Sequence, residues 1–163
     1  MIGSDRHIFE DGSEARQRMI EYGSLIEELH IVVLNKKSNI KKQKFGNVFV
    51  YPTNSWSRWF YIADAYKGAR RIIHDSRFMI QDSLVTCQDP FETGLAGWLV
   101  ARKFRLPLQL QIHTDFLSPY FQRESFLNRV RVLIAKLILP HATRIRAVSQ
   151  RIKESLSDAR FKI

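Results

Sequence analysis

LQLQIHTDFLSPYF, residues 108–121, is the stretch of sequence that decides how the rest of the chain is interpreted. Apolar and polar residues alternate through its first part, as they do in a strand with two different faces. The strand then ends in three polar side chains, His113, Thr114 and Asp115, with aromatic residues close behind. In open α/β sheets, ligands bind outside the carboxyl ends of the strands. The stretch therefore predicts a strand that delivers polar groups to a binding crevice.

Strand and helix patterns alternate on both sides of this stretch. The other strand patterns are short and rich in β-branched or aromatic residues. They cover residues 30–35, 47–53, 83–88 and 143–149. Helical patterns cover about residues 14–28, 57–75, 92–104 and 124–139, and a further one begins after Ser149. This alternation predicts a Rossmann-like three-layer α/β domain with a mostly parallel sheet, spanning residues 1–163.

Local signals predict several boundaries. Ser13 is expected to cap the first helix, and the fourth helix is expected to stop before Pro140. The second helix carries apolar residues near one face, namely Trp59, Ile62, Ala63, Tyr66 and Ile73. The lysine-rich residues 36–44 have the composition of a solvated loop. Only Met1 and Ile2 precede the first polar turn, so the first strand is expected to be truncated.

The composition narrows the classes of function. No apolar run approaches the roughly 20 residues of a membrane-spanning helix, and the first residues lack the apolar region of a signal peptide. Cys87 is the only cysteine, which suits a reducing cytoplasm and a buried, unreactive thiol. The net charge of +10 favours anionic partners: nucleic acid, an anionic membrane surface or a phosphorylated substrate. No metal-binding or phosphate-loop motif is present.

Five segments, in this order, resemble the amino-terminal domain of a family 4 glycosyltransferase of the GT-B architecture. They are SDRHIFEDGSEARQRMIEYG, EELHIVVLN, TCQDPFETGLAGWLVAR, LQLQIHTDF and IRAVSQRIKESL. The most specific pieces are QDPFETG, QIHTDF and RAVSQRIKESL, and the resemblance covers essentially the whole chain.

The resemblance implies a function for the complete enzyme. Such enzymes transfer a sugar from a nucleotide-diphosphate sugar to an acceptor hydroxyl with retention of anomeric configuration, generally without a metal or other cofactor. Their amino-terminal domain mainly binds the acceptor, which is a glycan or a lipid-linked sugar. Their carboxyl-terminal domain, which lies outside this chain, holds most of the donor contacts. The chain alone is therefore expected to bind donor weakly and to be inactive, and to depend on the missing domain or a partner chain.

The strongest candidate site residue is His113, which resembles the family's cleft histidine. It could hydrogen-bond the sugar or the acceptor, because imidazole donates and accepts near neutral pH. Thr114 is a candidate contact beside it. Asp115 could bind a hydroxyl or orient His113, but an Asx-turn leading into Ser118 and Pro119 explains it equally well. The aromatic residues that follow are expected to pack rather than to bind.

Two further groups of residues are candidates for binding the acceptor or substrate. Asp89 and Glu92 could act as a carboxylate pair, although capping of the following helix is expected for at least one of them. Gly94 is expected to let that helix approach the sheet or a ligand closely. Asp5 and Arg6 follow the first strand, where an arginine could contact phosphate; the alternative is a surface ion pair.

Two other functions remain open on the sequence alone. The chain could be a non-catalytic α/β binding module, or a degenerate fragment that acts through a partner chain. A nucleic-acid-binding protein is suggested only by charge and ranks last, because the sequence offers no recognition motif. Basic residues interleaved with aromatics at 56–77 and 123–139 could instead contact an anionic membrane, at the inner face of which a cytoplasmic enzyme would meet lipid-linked acceptors.

Overall fold

The computed structural model describes residues 1–75 and 82–158 of the chain. Contacts divide the chain into two compact units, residues 1–78 and 79–163. In both units helices separate most of the strands, and the paired strands are parallel with one exception. The expected Rossmann-like α/β fold with a mostly parallel sheet is therefore confirmed.

The first unit places its strands in the order β3-β4-β2-β1. The elements are β1 (Ile2–Gly3), α1 (Glu14–Gly23), β2 (Leu29–Val33), β3 (Gln43–Phe45), β4 (Val48–Pro52) and α2 (Tyr61–Asp75). Short 3-10 helices precede α1 and α2, at Arg6–Phe9 and Arg58–Phe60. Apolar side chains of β2 and β4 pack with α1 and the first 3-10 helix in a core of Ile8, Ala15, Met19, Leu29, Ile31, Val33, Val48 and Val50.

The second unit has three parallel strands in the order β5-β6-β7. The elements are β5 (Val85–Cys87), α3 (Glu92–Phe104), β6 (Leu108–Ile112), α4 (Pro119–Glu124), α5 (Phe126–Ile138), β7 (Arg144–Ala147) and α6 (Gln150–Asp158), with a 3-10 helix at Leu139–His141. The alternation expected in β6 is confirmed, since its first, third and fifth residues are buried and the glutamines between them are not. All five predicted strands exist, each one to three residues shorter than expected.

The first helix starts where the sequence predicts and ends earlier than predicted. Ser13 caps it, because its hydroxyl oxygen accepts a hydrogen bond from the Arg16 N–H at 3.2 Å. The helix stops at Gly23 rather than near residue 28. The side-chain amide of Asn47 donates to the carbonyl oxygens of Gly23, Ile26 and Glu27, at 2.8 to 3.0 Å. A side chain distant in sequence thus satisfies the carbonyls that would otherwise continue the helix.

The interpretation of residues 36–44 as a loop was partly wrong. The end of that segment belongs to β3, which pairs antiparallel with β4 across a tight turn. Gly46 makes the turn with a φ of +61°, a conformation that suits glycine. Lysines on such an edge strand are ordinary, because they discourage pairing with another chain.

The short first strand is found where the sequence places it, at Ile2–Gly3. It pairs parallel with β2, and the Val32 N–H donates to the Met1 carbonyl oxygen at 2.9 Å.

The predicted apolar face of the second helix is partly buried at Ile62, Tyr66 and Ile73 and exposed at its other two predicted residues. Trp59 is 88% exposed and Ala63 is also exposed, whereas the buried residues of α2 are Ala65 and Ala69. Small residues allow a helix to approach its neighbours closely, so the two alanines are fully buried and the bulkier residues beside them are partly buried.

The predicted helix at 124–139 is α5, which begins two residues later than expected, and a separate helix that was not predicted, α4, precedes it. Ser118 and Pro119 begin the short helix α4 instead of forming only a turn, and Pro119 suits the first helical position because it lacks an N–H. The chain is extended at Ser125, whose hydroxyl oxygen then accepts from the Asn128 N–H at 3.1 Å and caps α5. The helix ends at Ile138, just before Pro140 as predicted.

Candidate functional site

The polar strand ends of the second unit lie on one edge of its sheet. Asp89 follows β5, His113 follows β6 and Ser149 follows β7. These three strands are parallel. The last residue of β5 pairs with the middle of β6, and the last residue of β6 pairs with the last residue of β7. Since parallel strands share the direction of their carboxyl ends, the sequence prediction of one polar edge is realised within this unit.

A pocket of about 400 Å³ lies at this edge. It is bounded by the loop after β6, by α4 and by the start of α6. Its lining residues are Thr114, Asp115, Ser118, Tyr120, Phe121, Glu124, Ser149, Arg151 and Ile152. The pocket therefore combines hydroxyls, a cation and carboxylates with aromatic rings, a mixture that suits a polar ligand with apolar faces.

His113 is exposed next to this pocket in sequence but is not one of its lining residues. Its Nε2 lies 3.4 Å from the Gln111 Oε1, at the long limit of a hydrogen bond. The imidazole is thus held only loosely and remains accessible to solvent. Thr114 is also exposed, and it lines the same pocket as Asp115.

Asp115 connects the loop after β6 to helix α6. One carboxylate oxygen accepts a hydrogen bond from the Ser155 hydroxyl at 3.1 Å, and the other lies 3.3 Å from the Arg151 Nε. The turn expected here is closed by the Asp115 backbone carbonyl, which accepts from the Ser118 N–H at 3.3 Å, and not by the carboxylate. The carboxylate therefore positions α6 against the pocket, a role that neither sequence interpretation anticipated.

Asp89 closes the turn that leads into α3, but it does not cap that helix as expected: the N-cap residue is Phe91, no side chain caps it, and Glu92 lies in the first helical turn. Its Oδ1 accepts from the Phe91 N–H at 2.7 Å, and its backbone N–H and carbonyl both bond the Thr93 hydroxyl at 3.1 Å. Burial raises the pKa of the Asp89 carboxyl above its ordinary value, although the hydrogen bonds from Phe91 and Thr93 oppose the shift.

Glu92 joins α3 to α5. Its carboxylate accepts from the Arg131 Nε and Nη2, at 2.8 to 3.2 Å, in a forked arrangement. Both side chains are partly buried, and the Arg131 guanidinium also lies over the Phe91 ring. The same ring stacks on Phe121 of α4. The Glu92–Arg131 ion pair and the contacts of the Phe91 ring therefore hold α3, α4 and α5 together.

Gly94 and Gly97 let α3 lie against the sheet, which is one of the two roles expected for Gly94. A Cβ at Gly94 would stand 2.7 Å from both the Asp89 carbonyl oxygen and the Ile138 Cδ1. A Cβ at Gly97 would stand 2.1 Å from the Cys87 Sγ. Cys87 is fully buried, and burial raises the pKa of its thiol to about 12, as expected for an unreactive cysteine.

Asp5 and Arg6 lie in the first unit, after β1. The Asp5 carboxylate accepts from the His7 N–H at 3.1 Å and so caps the 3-10 helix, and Arg6 is exposed. Arg16 has a structural role instead: it donates to the carbonyl oxygens of Ile8 and Phe9 at 3.2 Å and pairs with Asp11. No group of three His, Cys, Asp or Glu side chains within residues 1–75 and 82–158 could hold a metal ion.

Four lining residues of the pocket were not among the predicted site residues. Tyr120, Phe121 and Glu124 lie on α4, and Arg151 lies in the first turn of α6. The proline after Ser118 is a helix-start signal that could have identified α4. Of the expected packing aromatics, Phe116 is buried edge-to-face against Phe91, whereas Tyr120 is 77% exposed.

Comparison with known proteins identifies the family. The sequence model of the glycosyl transferase 4-like domain matches residues 45–162, and the chain therefore belongs to this family. No curated protein matches the chain.

Among solved structures, the chain is similar to UDP-GlcNAc 2-epimerase from Methanocaldococcus jannaschii, with a TM-score of 0.61 and 16% identity. The match covers 99% of this chain and 42% of the epimerase chain, so this protein spans less than half the length of that neighbour. At this identity the likeness shows the fold alone, and it agrees with the Rossmann-like fold of each unit.

Proposed function

We propose that this chain is the acceptor-binding part of a retaining glycosyltransferase. The complete enzyme would move a sugar from a nucleotide-diphosphate sugar to an acceptor hydroxyl. The observation that carries the proposal is the family match, because the matched residues 45–162 include all three polar strand ends and the whole pocket. The fold neighbour acts on UDP-GlcNAc by its name, which supports a nucleotide sugar as the donor class.

The reaction breaks the bond between the anomeric carbon and the diphosphate oxygen. A new bond joins that carbon to the acceptor oxygen on the same face, and the acceptor proton leaves with the diphosphate. Most of the acceleration comes from positioning the two substrates and stabilising the diphosphate charge. We assign the diphosphate contacts to a second domain, because the residues that follow β1 do not form a Gly-rich loop that could bind a diphosphate.

His113 has the role of the residue that contacts substrate directly. Its exposed imidazole has one long hydrogen bond, so it can be recruited by a sugar hydroxyl at little cost. Thr114 and Asp115 would then contact the acceptor from the pocket wall.

The other candidates divide into supporting and contacting residues. The contacts of Asp89, Glu92 and Gly94 within the second unit account for these residues without a substrate, so we propose that they support the edge. Asp5 and Arg6 remain candidate substrate-binding residues of the first unit, taken by itself. No cofactor is required by this scheme.

The proposed setting is the synthesis of glycans or glycolipids in the cytoplasm, at the inner face of the membrane. The buried, free Cys87 suits a reducing compartment.

The test is transfer from a panel of nucleotide-diphosphate sugars, followed by mass spectrometry of the products. The purified chain should transfer negligibly, and the same chain joined to its donor-binding domain should transfer with a retained anomeric configuration, read by proton NMR. The nucleotide sequence that flanks the reading frame identifies the domain to join. Turnover by the chain alone would refute the division of labour, and an inverted product would refute retention.

A further inference from the structure

Helix α5 is apolar on two opposite faces, and packing within the protein accounts for only one of them. The face formed by Asn128, Val132, Ala135 and Ile138 is buried. On the other side Phe126 is 78% exposed, Leu133 68% and Leu137 54%. A helix that is apolar all round is normally buried all round, so the exposed face is unusual.

The exposed apolar residues form one stripe. At about 100° per residue, Phe126, Leu133 and Leu137 project within about 40° of one another around the helix axis, opposite the buried face. We call these three residues the outer stripe. Scattered single apolar residues on a surface need no explanation, but a contiguous stripe on one helix does.

Exposed cations flank the outer stripe. Arg129 and Lys136 lie on its flank and are exposed, whereas Arg131 is already paired with Glu92. Arg123, at the end of α4, is exposed as well. No acidic residue occurs between Phe126 and Ile138. The surface is therefore apolar along its centre and positive along one side.

We propose that the outer stripe and its cations dock this protein on the surface of an anionic lipid bilayer. Apolar side chains with Lys and Arg beside them are the features that hold a helix in the plane of a bilayer interface. A second copy of the chain fits less well, because a symmetric contact between two α5 helices would bring Arg129 and Lys136 towards like charges. Within the described residues, no helix is long and apolar enough to cross a membrane.

The experiment is co-sedimentation of the full chain with vesicles of phosphatidylcholine alone or mixed with phosphatidylglycerol. The protein should bind the mixed vesicles, release them as salt is added, and bind the neutral vesicles far less. Equal binding to both vesicle types, or to neither, would overturn the proposal. Sugar transfer is not involved, so this result is independent of the proposed function.

Paired variants test the stripe itself. The double substitution Leu133→Ser with Leu137→Ser should weaken binding to the mixed vesicles by about tenfold or more, because both side chains lose their apolar environment. The matched control is Leu25→Ser with Ile26→Ser, which removes two exposed aliphatic side chains of the first unit. Equal losses in the two double variants would overturn the proposal. Circular dichroism melting checks that each variant is folded.

The charges are tested in the same way. Arg129→Gln with Lys136→Gln should weaken binding by about 25-fold, since each cation near an anionic surface contributes about fivefold. Arg18→Gln with Lys153→Gln makes the same change in net charge at exposed positions away from the stripe, and it should weaken binding much less. Similar losses of vesicle binding in the two double variants would mean that the net charge of the whole protein attracts it to the vesicles and that the outer stripe is not the docking surface.

Two other occupants of the stripe would give distinct results. A dimer in light scattering that Leu133→Ser dissociates would identify a second copy. Nucleic acid would be identified as the ligand if a single-stranded oligonucleotide binds tightly, prevents binding of vesicles, and binds the serine variants as well as the original protein. Either result overturns the proposal.

Discussion

Gly97 offers a direct test of how α3 lies on β5. A methyl group at this position would stand 2.1 Å from the Cys87 Sγ and 3.3 Å from the Val85 Cγ1, whereas ordinary contacts are about 3.5 to 4 Å. Overpacking of a core costs about 1 to 3 kcal/mol, and an overlap of this size belongs at the upper end. Alanine regains about 1 kcal/mol of helix propensity over glycine. The expected net loss for Gly97→Ala is therefore about 2 kcal/mol, since the two effects oppose each other.

The cause of this loss can be isolated with a second substitution. Cys87→Ala removes the sulfur that the new methyl group would meet, and by itself should cost about 1 kcal/mol as a small cavity. If the overlap is the cause, the double variant should be about as stable as the original protein rather than lose the sum of about 3 kcal/mol, because the overlap is gone and the helix propensity of alanine, about 1 kcal/mol, offsets the remaining cavity cost of at most about 1 kcal/mol.

The assay is urea unfolding followed by circular dichroism. Gly68→Ala is the matched control, because a Cβ at this glycine of α2 would meet only the Val32 Cγ1, at 3.9 Å. It should therefore gain up to about 1 kcal/mol of helix propensity. A Gly97→Ala variant that is as stable as Gly68→Ala, or a double variant that loses the full sum, would refute the packing described for α3.

Three further predictions concern the supports of the pocket. Arg131→Gln should lower the free energy of unfolding by about 1 kcal/mol, because Glu92 loses a forked partner in a partly exposed site. Asp89→Asn keeps an oxygen for the Phe91 N–H and should be at least as stable as the original protein at neutral pH. Because burial raises the pKa of Asp89, the ionised carboxylate destabilises the folded protein at neutral pH. This destabilisation disappears as the pH falls through the raised pKa towards the ordinary value of 3.8. The stability advantage of Asp89→Asn should therefore shrink as the pH is lowered. Asp115→Ala should release α6 and speed amide hydrogen exchange over 150–158, because the carboxylate contacts to Ser155 and an arginine are lost.

Each of these predictions has a contradicting result. An unchanged urea midpoint for Arg131→Gln would mean that the ion pair contributes nothing. A stability difference for Asp89→Asn that grows as the pH falls would reverse the sign of the pKa shift. Unchanged exchange in α6 with faster exchange elsewhere would show that Asp115 does not position that helix.

The alternation of strands and helices was predictable because it depends on local periodicity. In β6 the alternation of leucine and glutamine marks both faces of the strand, and the polar residues after it mark the edge. Ser13 was identified as a cap because a capping hydroxyl acts on an N–H only three residues away. Features of this kind need no knowledge of the rest of the fold.

The roles of the candidate site residues were less predictable, because their partners lie far away in sequence. Glu92 and Arg131 are 39 residues apart, and Asp115 and Ser155 are 40 residues apart. Which carboxylate is free for a substrate depends on such contacts, and no local pattern encodes them. The end of α1 was predicted wrongly for the same reason, because the side chain that bonds the Gly23 carbonyl oxygen belongs to Asn47, 24 residues further along the chain.

The most direct test of the account is sugar transfer by the chain joined to its donor-binding domain, with His113→Ala compared against His74→Ala. His74 is an exposed histidine at the end of α2, so its loss removes the same chemical group from a surface with no proposed role. The account predicts that His113→Ala lowers kcat by about a hundredfold, as for the loss of one hydrogen bond to the reacting sugar, while His74→Ala transfers normally. Equal transfer by both variants, or no transfer from any nucleotide-diphosphate sugar by the unsubstituted protein, would contradict it.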